Sequence, residues 1–290
     1  MAAFRKSGAG GELAPGLYVT ATPIGNARDI TLRALDILAG CDAIAAEDTR
    51  VTAKLLAIHG ISRPLTAYND HNGARERPKL IARLRHGARI ALVSDAGTPL
   101  VSDPGYKLVR EALAQGIAVH AIPGASATLT ALALAGLPSD RFLFAGFLPA
   151  RAGERASMLE ELKPVRATLI LFESAQRLSE SLAQMAEILG DRAVAVTREL
   201  TKLHEEVRRG TLSLLSRQYA QEPPPRGEVT VLIGPPPAEV QADTKRIDAL
   251  LDLALPFMPV KAASELIARA LDIPRKEIYE RALAKKNHAG

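Results

Sequence analysis

The amino-acid sequence predicts two α/β domains followed by a short helical module. Short runs of β-branched and apolar residues alternate with longer stretches of helical periodicity, which is typical of sheets covered by helices. The alternation breaks once, at Gly136-Leu137-Pro138-Ser139, and we place the boundary between the two domains there. After Pro235-Pro236-Pro237 the periodicity is helical only, so residues 235–290 are predicted to form a linker and a helical module.

The first predicted domain spans residues 17–137. Its predicted strands are Leu17–Thr22, Ala43–Ala46, Arg89–Ser94 and Ala118–Ile122. Its predicted helices are Ile30–Leu38, Thr49–Ile58, Gly73–Arg85, Tyr106–Ala114 and Thr128–Ala135. Residues 1–16 are small, polar and rich in glycine, and we expect a disordered leader there and not a signal peptide.

The second predicted domain spans residues 138–234. Its strands are predicted at Arg141–Ala145, Ala167–Phe172, Ala193–Thr197 and Glu228–Ile233, with a long helix at Ser174–Leu189. Three helices follow in the tail, at Lys245–Leu253, Pro259–Leu271 and Pro274–Lys285, and the last of them is basic. This tail suits either a helix-turn-helix unit that binds nucleic acid or a bundle that caps the second domain.

Composition narrows the classes of function and location. There are 37 Lys and Arg residues against 32 Asp and Glu residues, and the net charge of +5 favours an anionic partner such as nucleic acid. An aromatic content of 4% without tryptophan argues against binding by stacked bases. Because Cys41 is the single cysteine, an intramolecular disulfide is excluded and a reducing, cytoplasmic compartment is expected. The sequence contains no apolar run of the length that a membrane helix needs, so no membrane partner is expected.

Polar motifs follow the predicted strands of the first domain, where ligands of α/β proteins usually bind. The first, Thr22-Pro23-Ile24-Gly25-Asn26, lacks the G-x-G-x-x-G pattern of dinucleotide sites. Asp48, after the second strand, is equally well interpreted as a helix cap or a substrate contact. His71 precedes a helix and is either a base or an exposed loop residue.

The acidic loop Ser94–Gly105 is the strongest local signal. Long loops in compact α/β domains are usually functional, and Gly97 permits the close approach of a ligand. The next strand ends in Ile122-Pro123-Gly124-Ala125-Ser126, where a helix N-terminus offers backbone donors to a carboxylate. Further polar clusters follow strands of the second domain, and we expect all of them to surround one cleft between the domains.

Six motifs in this order resemble the ribosomal small-subunit methyltransferase I subfamily of the tetrapyrrole methylase superfamily. The resemblance runs from about Leu17 to Gly234. The motifs are Thr22–Asn26, Ala45–Arg50, Ser94–Pro99, Asp103–Tyr106, Gly136–Phe142 and Arg198–Lys202. The resemblance implies two α/β domains of the tetrapyrrole methylase type (class III methyltransferase), with S-adenosylmethionine in the cleft between them. It also implies a homodimer that methylates the ribose 2′-hydroxyl of a cytidine in the decoding region of 16S rRNA, with the small ribosomal subunit as partner.

The resemblance also implies which residues face the cofactor. These are Pro23, Asp95, Ala96, Gly97, Thr98, Val101, Ser126, Ala127, Phe172, Glu173, Leu200 and Val229. On the RNA side, Asp48 and His71 are the candidates for taking the hydroxyl proton or aligning the hydroxyl. Phosphate contacts are expected from Arg50, Arg177, Arg198 and Lys202. No metal ligand set is apparent.

Two departures from the subfamily pattern stand out. The chain has Pro123-Gly124-Ala125-Ser126 where Pro-Gly-Pro and a small residue are usual, and Gln176 where a histidine usually precedes the equivalent of Arg177. If that histidine is an essential base, the base here lies elsewhere or is not needed. Two alternative functions stay open: methylation of a tetrapyrrole or other small molecule on the same scaffold, and a non-catalytic RNA-binding assembly protein.

Overall fold

The computed structural model describes residues 13–100, 105–237, 240–271 and 273–288. Most of the predicted leader, the predicted cofactor residue Val101 and the motif residues Asp103 and Pro104 lie outside these ranges. The chain divides after Pro235 into two compact units. The first unit contains two five-stranded sheets and the second contains helices.

The first sheet is wholly parallel. Its strands are β1 (Gly16–Thr20), β2 (Ala43–Ala46), β3 (Leu65–Ala67), β4 (Arg89–Val93) and β5 (Val119–Ile122), in the order β3-β2-β4-β1-β5. The helices that follow them are α1 (Leu32–Gly40), α2 (Thr49–Ile58), α3 (Gly73–Arg85), α4 (Tyr106–Ala114) and α5 (Ala127–Ala135). Parallel strands covered on both faces are apolar along their whole length, and every residue of β1 and β2 is buried.

The alternation of side chains along the strands divides the core of this sheet into two layers. Leu17, Ile90 and Leu92 pack on α3 and α4, whereas Ile44 and Ala91 pack on α1 and α2. Helix α5 is different, since its buried side chains pack against the second sheet.

The second sheet is mixed. Its strands are β6 (Phe142–Phe147), β7 (Thr168–Ser174), β8 (Ala193–Arg198), β9 (Glu206–Thr211) and β10 (Glu228–Ile233), in the order β6-β7-β10-β8-β9. Only the β6–β7 pair is parallel. One face carries α6 (Ala152–Leu162), α7 (Leu178–Leu189) and α8 (Leu212–Gln221), and the other face carries α5.

The second unit consists of α9 (Val240–Ala254), α10 (Val260–Leu271) and α11 (Arg275–His288). Its apolar core includes Leu251, Ile267 and Ile278. Two basic side chains of the last helix form ion pairs with α9: Arg281 is bonded to Asp248 at 2.6 Å, and Lys285 is bonded to Asp252 at 2.7 Å. None of the described helices is long and apolar enough to cross a membrane.

The predicted α/β class with a helical tail is confirmed. Two strands had not been predicted, and each has a local reason. Strand β3 has only three residues and follows Pro64, so no periodicity is visible. Strand β9 is a sheet edge with the sequence EVRRGT, in which Arg208 is paired with Glu222 at 2.7 Å. Such a charged edge does not resemble a buried strand, although it protects the sheet against further pairing.

An ion pair between Asp42 and Arg89 joins the starts of β2 and β4. Arg89 donates to Asp42 through Nη2 at 2.7 Å and through its backbone nitrogen at 2.8 Å. These hydrogen bonds lower the pKa of Asp42 from its ordinary value of 3.8 to about 2. The charged carboxylate is therefore favoured by folding.

We expect Asp42→Asn to lower the free energy of unfolding at neutral pH by about 0.5–1.5 kcal/mol, since both side chains are partly exposed. The deficit should shrink as the pH falls from about 4 towards 2, because the unfolded chain then takes up a proton at Asp42 while native Asp42 stays ionised. Urea unfolding followed by circular dichroism measures both effects. Asp36→Asn, at an exposed position of α1, is the control, and a deficit that stays constant down to about pH 3 would contradict the assignment.

Candidate functional site

The carboxyl ends of β1, β2, β4 and β5 meet at one edge of the first sheet. In the register, Ala46 lies beside Val93 and Thr20 lies beside Ile122, so the loops that follow these strands start side by side. This edge is where open parallel sheets place their ligands.

Two backbone hydrogen bonds tie the acidic loop to the loop after β1. Thr22 N donates to Gly97 O at 2.9 Å, and Gly97 N donates to Thr22 O at 3.0 Å. Gly97 has a φ of 76°, which a residue with a side chain adopts only with strain. Thr98 Oγ1 donates to Ala125 O at 3.2 Å and so connects the acidic loop to the loop after β5.

These loops and the second sheet enclose a cavity of about 260 Å³. One side of the cavity is lined by residues that follow the strands of the first sheet or begin α5: Ile24, Glu47, Asp95, Ala96, Gly97, Thr98, Ser126, Ala127 and Thr128. From the second sheet come Phe147, Phe172, Glu173, Glu228, Val229 and Thr230. The lining is largely apolar, with a few polar groups, as in most small-molecule sites.

The N-terminus of α5 provides polar groups on one wall of this cavity. Ser126 caps the helix by accepting a hydrogen bond from Leu129 N, and the amides of the first turn have no partner within the helix. Thr128 is 6% exposed, and its Oγ1 has no hydrogen-bond partner among the described residues. A buried polar group without a partner needs an explanation, and a hydrogen bond to a bound ligand is one.

A second, more open groove adjoins the cavity. It is lined by Glu47, Asp48, Thr49, Arg50, Ala67, Asn69, Asp70, His71 and Asp95. Two of these residues, Glu47 and Asp95, also line the enclosed cavity. Both carboxyl groups therefore stand where the enclosed cavity and the open groove meet.

Asp48 and Arg50 form a close pair in this groove. Asp48 caps α2 by accepting a hydrogen bond from Arg50 N at 2.8 Å, and its carboxylate also binds Arg50 Nη2 at 2.5 Å. The Arg50 side chain holds the pKa of Asp48 at about 2. The structure thus contains the helix cap that the sequence allowed, and the paired carboxylate is a weak base.

Glu47 and Asp95 differ from Asp48. Asp95 N donates to Glu47 Oε2 at 3.3 Å, and Asp48 N donates to Asp95 Oδ1 at 3.0 Å. Burial raises the pKa of both carboxyl groups, and neighbouring carboxylates raise them further. These two acids are therefore the site's candidates for proton transfer.

His71 lies at the exposed side of the groove. Its backbone nitrogen donates to Asn69 Oδ1 at 3.2 Å, and Asn69 Nδ2 donates to Glu47 O at 3.3 Å. Asn69 therefore connects the His71 turn to the end of β2. In the described residues, no group of His, Cys, Asp and Glu side chains is arranged to hold a metal ion.

The cationic residues of the second sheet are engaged in ion pairs. Arg177 binds the fully buried carboxylate of Glu173 at 2.8 Å, and Arg198 binds Glu206 at 3.0 Å. Lys202 binds two carboxylates, Glu199 at 2.9 Å and Glu228 at 3.1 Å. The Arg50 side chain, by contrast, is 86% exposed despite its pairing.

The β8–β9 loop contacts the loop after β1. Asn26 N donates to Thr201 Oγ1 at 3.2 Å, and a Cβ on Gly25 would lie 2.5 Å from the Lys202 side chain. Glu199 and Thr201 adopt positive φ angles of 51° and 65°. Each such residue costs about 1–3 kcal/mol, and these conformations are typical of the neighbourhood of functional sites.

Most of the predicted cofactor residues are brought together. Asp95, Ala96, Gly97, Thr98, Ser126, Ala127, Phe172, Glu173 and Val229 line the enclosed cavity. Pro23 and Leu200 are buried next to it and do not line it, and Val101 lies outside the described residues. The predictions missed Ile24, Glu47, Thr128, Phe147, Glu228 and Thr230. Glu47 and Thr128 are each next to a predicted site residue in the chain, and this adjacency is the signal in the sequence that could have identified them.

Two protein-family models match the chain. The model described as Tetrapyrrole (Corrin/Porphyrin) Methylases matches residues 16–215, and the model described as RsmI C-terminal HTH domain matches residues 241–286. The first match includes most of the cavity.

Relatives of nearly equal length carry one name. A protein of Mesorhizobium japonicum named ribosomal RNA small subunit methyltransferase I is 53% identical, over 96% of this chain and 95% of its own. A protein of Pseudomonas aeruginosa with the same name is 43% identical, over 93% of this chain and 97% of its own.

Solved structures share the fold. Uroporphyrin-III-C-methyltransferase from Thermus thermophilus matches with a TM-score of 0.54 and 22% identity, over 76% of this chain and 94% of its own. Diphthine synthase matches with a TM-score of 0.59 and 16% identity, over 75% of this chain and 89% of its own.

Proposed function

Because the chain belongs to the ribosomal RNA small subunit methyltransferase I family of the tetrapyrrole methylases, as its motifs predicted, we propose that it methylates ribosomal RNA. In the proposed reaction, S-adenosylmethionine donates a methyl group to the 2′-hydroxyl of a cytidine ribose in the decoding region of 16S rRNA. The substrate is then the small ribosomal subunit or its RNA.

The observation that carries this proposal is the meeting of two differently built cavities at Glu47 and Asp95. A small donor needs an enclosed, mostly apolar site, whereas a nucleotide within a large RNA needs an open, polar one. Methyl transfer requires both reactants to meet at one point with water excluded. The two shared carboxyl groups mark such a point.

The residues of the enclosed cavity fit S-adenosylmethionine. Phe147, Phe172 and Val229 offer apolar contacts to an adenine ring. The first-turn amides of α5 suit a carboxylate, and Thr128 Oγ1 lacks the partner that a ligand would provide. Carboxylates at Asp95 and Glu228 suit cationic groups. When bound, the cofactor supplies a methyl group that is already strongly electrophilic.

One contribution of the protein itself is positioning. The loops joined by the Thr22–Gly97 hydrogen bonds hold the wall of the cavity in place, so little reorganisation accompanies the reaction. Arg50 lines the open groove and its side chain is exposed, which supports the proposal that it binds a phosphate of the RNA backbone. We also propose phosphate contacts for Arg177, Arg198 and Lys202. These side chains are paired with carboxylates, so a phosphate would either join each ion pair or replace its carboxylate.

The proposal includes a homodimer in the cytoplasm, where ribosomal subunits are found. Edge strand β6 supports self-association, because Phe142 is 43% exposed and Leu143 is 38% exposed there. Apolar side chains on an uncovered sheet edge are typical of an interface.

The first test uses the purified protein, tritiated S-adenosylmethionine and small ribosomal subunits from a strain that lacks the endogenous enzyme. We expect label in the RNA and resistance to alkaline cleavage at one ribose, since a 2′-O-methyl group blocks that cleavage. Cofactor binding without labelled RNA would instead support methylation of a small molecule. Absence of cofactor binding would support a non-catalytic RNA-binding protein.

Thr128→Val tests the cofactor site. We expect the affinity for S-adenosylmethionine to fall roughly five- to tenfold, since one hydrogen bond is worth about 1 kcal/mol. Thermal stability should not fall, because the Thr128 hydroxyl has no partner within the described protein. Isothermal titration calorimetry gives the affinity, with Thr130→Val on the same helix as the control. Equal affinities for Thr128→Val and wild type would exclude the contact.

Arg50→Ala tests the RNA side. We expect weaker binding of small-subunit RNA. The affinity should also depend less on salt: the negative slope of log affinity against log salt should become shallower by about 0.7, which corresponds to one lost phosphate contact. Cofactor affinity should not change. Arg151→Ala is the matched control, because that side chain is 84% exposed and is also paired with a neighbouring acid. The same loss in both variants would mean that the effect is not specific to the groove.

A further inference from the structure

We propose that Glu47 is the catalytic base of the methyl transfer and accepts the proton of the acceptor hydroxyl. This inference rests on the proposed function and identifies a group for which neither the motifs nor the relatives assign a role. It differs from the prediction from sequence, in which Asp48 and His71 were the candidates.

The position of Glu47 is rigid. It follows the last residue of β2, and its backbone nitrogen donates to Val93 O on β4 at 3.3 Å. Its carbonyl oxygen accepts a hydrogen bond from Asn69 Nδ2 at 3.3 Å. The backbone is thus held on both sides, and the side chain lines both the enclosed cavity and the open groove. A base must stand within reach of the reacting hydroxyl, and the join of the two cavities meets this condition.

The Glu47 carboxylate is free to accept a proton. Its Oε2 accepts one long hydrogen bond, from Asp95 N at 3.3 Å. Within the described ranges no Lys, Arg or His side chain pairs with it. The neighbouring Asp48 is bonded to the Arg50 side chain and has a pKa of about 2, which makes it a poor proton acceptor.

The charged groups around Glu47 are mostly acidic. Asp95, Asp70 and Asp48 face it from the groove, and Arg50 and His71 lie on the same groove. Burial raises the pKa of Glu47 most, and the three carboxylates add to the effect. A higher pKa makes the ionised group a better proton acceptor. As the base acts in its ionised form, the rate should rise with pH through this pKa and then level off.

Asp95 is the nearest competitor and has a different role. Its Oδ1 accepts a hydrogen bond from Asp48 N at 3.0 Å, and its own backbone nitrogen holds the Glu47 carboxylate. Asp95 thereby positions Glu47 and the start of α2. His71 is exposed and is held only through its backbone in the described structure.

The proposed step is balanced without a metal or a further reactant. The ribose oxygen forms a bond to the methyl carbon, and the carbon–sulfur bond breaks with its electron pair remaining on sulfur. The hydroxyl proton moves to the Glu47 carboxylate, from which it passes to solvent through the open groove.

Glu47→Gln tests the role, since the amide has nearly the same shape and cannot take the proton. We expect the single-turnover rate of methyl transfer to fall by about 10²- to 10³-fold, while the affinities for cofactor and RNA stay within about twofold of wild type. The acid limb of the pH–rate profile should be lost. Glu47→Asp should restore part of the rate and the limb. The control is Glu187→Gln, at an exposed position of α7 outside both cavities.

A second measurement does not depend on activity. Carbon-13 NMR titration of the Glu47 side-chain carboxyl in the cofactor-free enzyme should give a pKa above the ordinary glutamate value, and an ordinary or lowered pKa would overturn the proposal. A full rate and an intact acid limb in Glu47→Gln would also overturn it. Loss of that limb in Asp95→Asn alone would move the role to Asp95. If wild type binds the cofactor but labels no RNA, the proposed function fails, and the titration still decides whether Glu47 has the required pKa.

Discussion

The pair of backbone hydrogen bonds between Thr22 and Gly97 is the contact on which the site depends. It joins the loops after β1 and β4, which the parallel register has already placed side by side. The loop held in this way carries Asp95, whose backbone nitrogen contacts Glu47 and whose carboxylate contacts the backbone of Asp48. The Thr22–Gly97 pair thus connects the loop that carries Asp95 to the loop after β1, and the Asp95 contacts extend this connection to Glu47.

The two neighbouring acids at the end of β2 show how local structure separates chemical roles. Asp48 begins a helix and lies within reach of Arg50, so its charge is neutralised and its pKa is about 2. Glu47, one residue earlier, directly follows the last residue of β2, is partly buried and faces other carboxylates. Pairs of carboxyl groups with pKa values pushed apart are typical of enzymes that transfer protons.

Several features were predictable because their signals are local. The parallel strands are continuous apolar runs, and the family resemblance carried by the motifs named nine residues that line the cavity, six of them at carboxyl ends of the parallel strands. The prediction missed β3 and β9 because one is too short and the other too charged to show a buried pattern. It also missed Phe147 and Thr230, which lie on strands of the second sheet and line the cavity only because that sheet faces the first.

The sequence by itself determined the α/β class, the helical tail and the family, because strand periodicity, glycine turns and ordered motifs are properties of short segments. Only the tertiary structure decided that the Asp48 carboxylate is paired with Arg50, whereas the Glu47 carboxylate has no cationic partner among the described residues. It also decided that Arg177, Arg198 and Lys202 are bonded to carboxylates whereas the Arg50 side chain extends into solvent. The physical reason is that burial and charge pairing depend on groups far apart in the chain, such as Glu47 and Asp95, which meet only when the sheet has formed.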